Sequence, residues 1–213
     1  MKTILIHGFG QQEQSWNETI SFMQEQNNLL CPNLASLLNG QEATYEHLYQ
    51  AMAQYCQQID ERVNLCGISL GGILALDFAL EFPNLVNSLV LIATPHQIPK
   101  MMFALQNMIF RFLPVSAFED MAFSKKDTFV LLKSMKDLDF KEKVKNISCP
   151  VLIICGKKDK TNVKSAQYLY THIKDAKLIL LESTGHAVNE EQPQQLAQIL
   201  QEFLMNSDNI KNI

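Results

Sequence analysis

The residues best suited to chemistry surround Ser69. The sequence Gly67-Ile68-Ser69-Leu70-Gly71 fits the pattern G-x-S-x-G, directly after an apolar run and directly before a helical pattern. A sharp turn from strand to helix leaves little room for side chains beside the serine, and the two glycines meet that requirement. The hydroxyl would project from the turn, and the N-terminus of the helix would favour negative charge developing nearby. We therefore predict that Ser69 is a nucleophile.

A serine hydroxyl needs a base to take its proton, and the base needs a group that orients it. His186 follows Gly185 just after the last predicted strand, and Asp159 comes just after the strand before it. Both therefore fall at carboxyl ends of strands. We predict that Ser69, Asp159 and His186 form a catalytic triad. The lysines before Asp159 leave one alternative open, an ordinary solvated basic turn, while Ser165 and Ser183 are expected to lack a positioned base.

Short apolar runs alternate along the chain with helical patterns, which predicts a parallel sheet covered by helices on both faces. The predicted fold class is α/β, with a doubly wound, mainly parallel sheet of six strands. The predicted strands are 3–7, 29–32, 63–67, 88–93, 151–155 and 177–181. The predicted helices are 15–26, 44–59, 70–82, 164–173 and 193–204.

One segment interrupts this alternation, because residues 95–147 separate two strands by far more than a crossover helix needs. We interpret it as a helical cap inserted into a core formed by residues 1–94 and 148–213.

The cap has the signals of helix starts. Pro99 suits a first helical turn, and Ser116 and Ser124 each precede an acidic residue by three positions, as in a capping box. The segment is also heavily apolar. We predict that its residues Met101, Met102 and Leu105 contact the substrate.

With these segments in place, the chain resembles the α/β-hydrolase superfamily from end to end. The resemblance rests on the serine turn, the segment His7-Gly8-Phe9-Gly10, the Asp159 loop, and Gly185-His186 followed by Glu191-x-Pro193. The order Ser, Asp, His is also the one expected of that superfamily. The resemblance implies a small serine carboxylesterase-like member with a helical cap. It further implies an oxyanion hole formed by the backbone N–H groups of Phe9 and Leu70.

The resemblance also implies a sheet in the strand order 2-1-3-4-5-6, without the two strands with which family members usually begin. Phe9 and Ser69 would then end adjacent strands, at the switch point where such sheets place ligands. His7 is expected to brace its loop rather than to transfer protons. His47 and His172 are expected at the surface, and His96 is expected to pack or cap, with substrate contact as the alternative.

The composition of the chain excludes several kinds of partner and cofactor. The 213 residues carry a formal charge of −4 and are 19% charged, as in an ordinary soluble protein, so no nucleic acid is expected as a partner. No apolar stretch is long enough to span a bilayer, and a cytoplasmic location is expected. No histidine and carboxylate cluster has metal spacing, so neither metal nor cofactor is expected. The five cysteines are scattered and are expected as reduced core thiols.

These observations favour hydrolysis of a carboxylic ester of an apolar acyl group through an acyl enzyme. The same residues would serve a thioesterase, a C–C bond hydrolase or a lyase of the superfamily. A non-catalytic ligand-binding protein is the alternative of another class. Residues 95–147 contain nine basic and six acidic residues, so an anionic or carrier-protein-linked substrate at a basic cap is a further hypothesis. The sequence leaves the oligomeric state open.

Overall fold

The predicted parallel sheet and its strand order are confirmed. The computed structural model describes residues 1–98, 113–119 and 121–209. Six parallel strands pair in the order β2-β1-β3-β4-β5-β6. They are β1 (Thr3–Ile6), β2 (Leu29–Leu30), β3 (Val63–Ile68), β4 (Val86–Ile92), β5 (Val151–Gly156) and β6 (Lys177–Leu181).

Helices connect the strands. They are α1 (Asn17–Ser21), α2 (Leu34–Leu37), α3 (Tyr45–Gln57), α4 (Leu70–Glu81), α5 (Lys125–Met135), α6 (Lys160–His172), α7 (Val188–Glu191) and α8 (Pro193–Asn209). The helix predicted at 15–26 is shorter, with a 3-10 turn at Glu13–Trp16 leading into α1. Helix α6 begins four residues before its predicted start, because the side chain of Asp159 caps it at Asn162. Helices α2 and α7 were not predicted, since four residues are too few to show a helical period.

Alternation along the strands divides the apolar interior between the two faces of the sheet. Ile4 and Ile6 belong to a cluster that includes residues of α3, α4 and α6. Leu5, between them in sequence, belongs to a cluster with residues of α7 and α8. Successive strand side chains point to opposite faces, so each face has its own helical layer. This is the doubly wound arrangement that the sequence predicts.

The described part of the insertion between β4 and β5 contains α5 and two 3-10 turns. The predicted start at Ser124 is confirmed, because its Oγ accepts a hydrogen bond from the Asp127 N–H at 3.2 Å and caps α5. The predicted start at Ser116 is wrong. Ser116 lies inside a 3-10 turn at Val115–Phe118, which begins directly after Pro114 and ends at the buried Phe118. A capping residue must precede the first turn of its helix, and Ser116 does not. Pro99 lies outside the described residues.

The insertion packs into the same apolar cluster as the sheet. Phe123, Leu131 and Phe140 are buried in the cluster that contains Ile4. The division into a core and a separate cap at residues 95–147 stays a prediction.

A buried polar cluster lies at the amino ends of the central strands. Asn64 on β3 is in register with Thr3 on β1 and Ser88 on β4. The Asn64 Oδ1 accepts hydrogen bonds from Ser88 Oγ at 2.7 Å and Asn87 Nδ2 at 2.8 Å. Each of these residues is at most 4% exposed. A shared buried acceptor of this kind fixes the register of neighbouring strands.

Candidate active site

Ser69 occupies a strained turn between β3 and α4. Its backbone has φ 54° and ψ −113°, a conformation that costs a non-glycine residue about 1–3 kcal/mol. The turn is held by hydrogen bonds from Ser69 N–H to the Ile92 carbonyl (2.9 Å) and from Ile73 N–H to the Ser69 carbonyl (3.0 Å). A Cβ on Gly67 would overlap the carbonyl of Gly71, so no larger residue fits there. The turn therefore has the form that the G-x-S-x-G pattern predicts.

Asp159 and His186 are brought into contact. The His186 Nδ1 and the Asp159 Oδ2 are 2.6 Å apart. The Asp159 side chain is 7% exposed and that of His186 is 50% exposed. The two loops are tied together by a hydrogen bond from the Lys158 N–H to the Thr184 carbonyl at 2.9 Å. The imidazole is thus oriented by a buried carboxylate and open to solvent on its other side.

Asn162 is a functional candidate that the sequence reasoning missed. Its Nδ2 donates to the Asp159 Oδ2 at 2.8 Å, its backbone N–H donates to Oδ1 at 3.1 Å, and Nδ2 lies 3.3 Å from His186 Nδ1. Burial favours the neutral carboxyl, but hydrogen bonds from His186 and Asn162 outweigh it and hold the pKa of Asp159 below its ordinary value. An amide one helical turn after a capping aspartate is the sequence signal that could have identified Asn162.

His7 braces the loop after β1, as expected. The buried His7 ring receives a hydrogen bond from the Leu34 N–H at Nε2 (3.1 Å), and its Nδ1 donates to the Gly8 carbonyl at 2.8 Å. Burial lowers the pKa of His7, which suits a neutral ring that both accepts and donates. The ring of Phe9 stacks on Phe123 of the insertion, with centroids 5.9 Å apart. The insertion therefore lies against the predicted oxyanion loop.

The second predicted oxyanion donor lies at the start of α4. Leu70 is the first residue of α4, so its N–H has no partner within the helix. Among the described residues the hydroxyl of Ser69 makes no hydrogen bond, and a contact with His186 stays a prediction. Met101, Met102 and Leu105 lie outside the described residues.

Contrary to expectation, Ser165 has a neighbouring base. Its Oγ lies 2.9 Å from His96 Nδ1, and the His96 ring stacks on Tyr168 with centroids 4.2 Å apart. Both Ser165 and His96 are 7% exposed, so this pair is packed in the interior. Packing is thus confirmed for His96. His172 is exposed, as expected, and His47 is half-buried.

The basic turn before Asp159 is also present. Lys157 forms an ion pair with Glu182, and Lys158 is exposed. The alternative interpretation therefore describes the lysines but not Asp159, whose carboxylate is buried against His186.

Within residues 1–98, 113–119 and 121–209, no group of three or more His, Cys, Asp or Glu side chains could hold a metal ion. Over the same ranges no helix combines the length and apolarity needed to cross a membrane.

The parallel sheet and the serine turn define an α/β protein of the hydrolase type. Residues 3–199 match the sequence profile of the Alpha/beta hydrolase family. Since the match covers most of the chain, the protein belongs to that family.

Individual proteins are similar to this chain at lower identity. A pimeloyl-[acyl-carrier protein] methyl ester esterase from Nitrosomonas europaea is 24% identical, over 86% of this chain and 88% of the relative. A proline iminopeptidase from Saccharolobus solfataricus is 30% identical over 76 residues, which span 36% of this chain and 24% of the relative. The solved structure of a thermophilic esterase from Thermogutta terrifontis has a TM-score of 0.80 at 19% identity, covering 97% of this chain and 90% of the other. That structural likeness shows the fold alone.

Proposed function

We propose that the protein is a serine carboxylesterase that cleaves an ester of an apolar acyl group through an acyl enzyme. The observation that carries the proposal is the 2.6 Å contact between His186 Nδ1 and Asp159 Oδ2, at the sheet edge where the strained turn presents Ser69. A carboxylate at Nδ1 leaves Nε2 unprotonated and able to take the serine proton.

In the proposed reaction, His186 Nε2 takes the proton from Ser69 as Oγ attacks the ester carbonyl. The oxyanion is stabilised by the N–H groups of Phe9 and Leu70, and the alcohol leaves with the proton from His186. Water then attacks the acyl enzyme with His186 as base, which releases the acid and restores Ser69.

The acyl preference is proposed from the apolar surroundings of the oxyanion loop. Phe9 stacks on Phe123, which is 2% exposed and belongs to the insertion. Met101, Met102 and Leu105 are proposed to extend this surface. Similarity to an esterase of an acyl-carrier-protein ester, together with the basic insertion, favours an ester whose remote group is anionic or carrier-linked.

A cytoplasmic location is part of the proposal. All five cysteines are free thiols and four of them are buried, which suits a reducing compartment.

The experiment compares wild type, Ser69→Ala and His186→Ala on chromogenic esters of graded acyl length. Each variant should lower kcat by several orders of magnitude, since nucleophile and base act as one unit. A fluorophosphonate probe should label wild type and the control Ser165→Ala alike, because Ser165 is buried away from solvent. Hydrolysis or labelling that survives Ser69→Ala would refute the proposal. A matching panel of thioesters separates esterase from thioesterase.

A further inference from the structure

The side chain of Gln11 joins the two loops that flank the proposed reaction. Its Oε1 accepts a hydrogen bond from the Gly8 N–H at 3.0 Å. Its Nε2 donates to Asn189 Oδ1 and to Glu190 Oε1, each at 3.0 Å. Asn189 and Glu190 lie on α7, which begins two residues after His186. One amide therefore connects the loop that contains Phe9 with the helix that follows the proposed base.

The anchor on the α7 side is rigid. Asn189 is 0% exposed, and its Nδ2 donates to the Ser15 carbonyl at 3.1 Å. Its own carbonyl accepts a hydrogen bond from Thr19 Oγ1 at 3.0 Å. A hydrogen bond to such a buried and fully engaged residue fixes position more firmly than a bond to a mobile surface group.

On the loop side, Gly8 is held at both of its backbone polar groups, its N–H by the Gln11 side chain and its carbonyl by two other donors. The Gly8 carbonyl accepts hydrogen bonds from the Gln11 N–H at 3.3 Å and from His7 Nδ1 at 2.8 Å. That carbonyl and the Phe9 N–H belong to the same peptide unit, which is planar and trans. They therefore point in opposite directions, so bonds that fix the Gly8 carbonyl also fix the direction of the Phe9 N–H. The Gln11 side chain adds a restraint on the other side of Gly8, because it holds the Gly8 N–H and so limits rotation of the Gly8 backbone.

We propose that Gln11 is a positioning residue that aims the Phe9 N–H at the developing oxyanion and keeps it in register with His186. The inference rests on the proposed function. Gln11 acts through Gly8 and α7 and does not touch the substrate. Its contribution therefore belongs to the transition state, where charge develops on the substrate oxygen, and not to ground-state binding.

The test measures kcat and KM for Gln11→Ala, Gln11→Glu, and Gln11→Glu combined with Glu190→Gln. Gln11→Ala should lower kcat about 10- to 100-fold. KM should stay nearly unchanged, because a displaced Phe9 N–H weakens the stabilisation of the oxyanion, which exists only in the transition state. Gln11→Glu should also lower kcat, since a carboxylate cannot donate to Glu190. The double variant restores a donor and an acceptor between positions 11 and 190 but leaves Asn189 Oδ1 without its donor, so it should recover part of the loss.

The matched control is Gln14→Ala, because Gln14 lies nearby in the chain, is exposed, and donates to Glu13. A trifluoromethyl ketone, which forms an oxyanion on Ser69, should bind Gln11→Ala more weakly by the same factor as kcat/KM falls. Wild-type kcat in Gln11→Ala, or a rise in KM alone, would overturn the inference while inactivity of Ser69→Ala still supported the esterase. Activity of Ser69→Ala would instead refute the proposed function.

Discussion

Asp159 has two structural roles at once. Its Oδ1 accepts the Asn162 N–H and caps α6, while its Oδ2 accepts from the Asn162 side chain and contacts His186. The cap fixes the rotamer of the carboxylate, so His186 meets an acceptor that is already in place. The start of a helix and the orientation of the proposed base thus depend on one side chain.

The variant Asp159→Asn separates these roles. Asparagine caps a helix as well as aspartate does, so the melting temperature should stay close to that of wild type. An amide stabilises the imidazolium poorly and can hold the wrong tautomer, so kcat should fall roughly 10²- to 10⁴-fold. Asp159→Ala is the contrasting variant, since it should lose activity and about 1 kcal/mol of stability together. Near-full activity of Asp159→Asn would show that another carboxylate orients His186.

Asn162→Ala tests the origin of the lowered Asp159 pKa. A carboxyl whose pKa is lower in the folded state stabilises the protein above its unfolded pKa of about 3.9, and that stability is lost as pH falls through the folded pKa. Removing the Asn162 side chain should raise the folded-state pKa of Asp159. The acid loss of unfolding free energy, which begins near the unfolded pKa, should then be smaller and should end at a higher pH. A carboxyl-carbon NMR titration measures the pKa, and denaturant unfolding at graded pH measures the stability. An unchanged Asp159 titration would contradict this role.

At the residue scale, the sequence was sufficient for groups that stand next to glycine-rich turns. Asp159 and His186 were predicted from their places after strands, and the structure brings them into contact. Asn162 was missed although its place one helical turn after Asp159 is visible in the sequence, whereas Gln11 was missed because its role depends on three-dimensional contacts. Gln11 lies 178 positions from Asn189 in the chain. Ser165 was misjudged for the same reason, since His96 is 69 positions away.

At the scale of strands and helices, the buried cluster around Asn64 should act on stability rather than on chemistry. Asn64→Ala removes the acceptor of Ser88 Oγ, and leaving a buried donor unpaired costs about 1–3 kcal/mol. The cluster lies at the amino ends of the strands, opposite Ser69. Denaturant unfolding should show the loss, while kcat at a temperature well below unfolding should stay within twofold of wild type. A large fall in kcat would indicate that the strand register extends its effect to the serine turn.

Strands and helices could be predicted where their apolar patterns are clear in the sequence. The strands were found because burial on both faces of the sheet leaves a continuous apolar run, and the helices α3, α4 and α8 were found because their apolar patterns are long. The same reasoning could not place the four-residue helices α2 and α7, nor reject a capping box at Ser116. The capping box at Ser116 is excluded by the 3-10 turn that begins after Pro114 and ends at the buried Phe118.

At the scale of the whole molecule, charge is unevenly distributed. Lys126 and Lys133 are exposed and seven positions apart on α5, so they share one face, whereas Lys125 is half-buried and donates to the Leu113 carbonyl. If this face steers an anionic ester, Lys126→Glu with Lys133→Glu should lower kcat/KM for that ester and leave a neutral ester unchanged. Salt should reduce the wild-type preference.

The control is Lys174→Glu with Lys177→Glu, which changes the charge equally near the amino end of β6, where both lysines are exposed. Equal effects of the two charge reversals, or a wild-type rate that does not vary with ionic strength, would rule out steering by α5.

The position of β6 at the edge of the sheet should determine which part of the active site unfolds first. Ser69 follows β3, which is buried along its whole length between two neighbours, whereas His186 follows β6, an edge strand with one neighbour and a half-exposed middle. Local opening begins where fewest contacts must break, so the histidine loop should fray at denaturant concentrations that leave the serine turn intact. Hydrogen exchange should accordingly be faster for amides of β6 than for those of β3. Ester hydrolysis should cease at a denaturant concentration below that at which far-ultraviolet circular dichroism reports global unfolding.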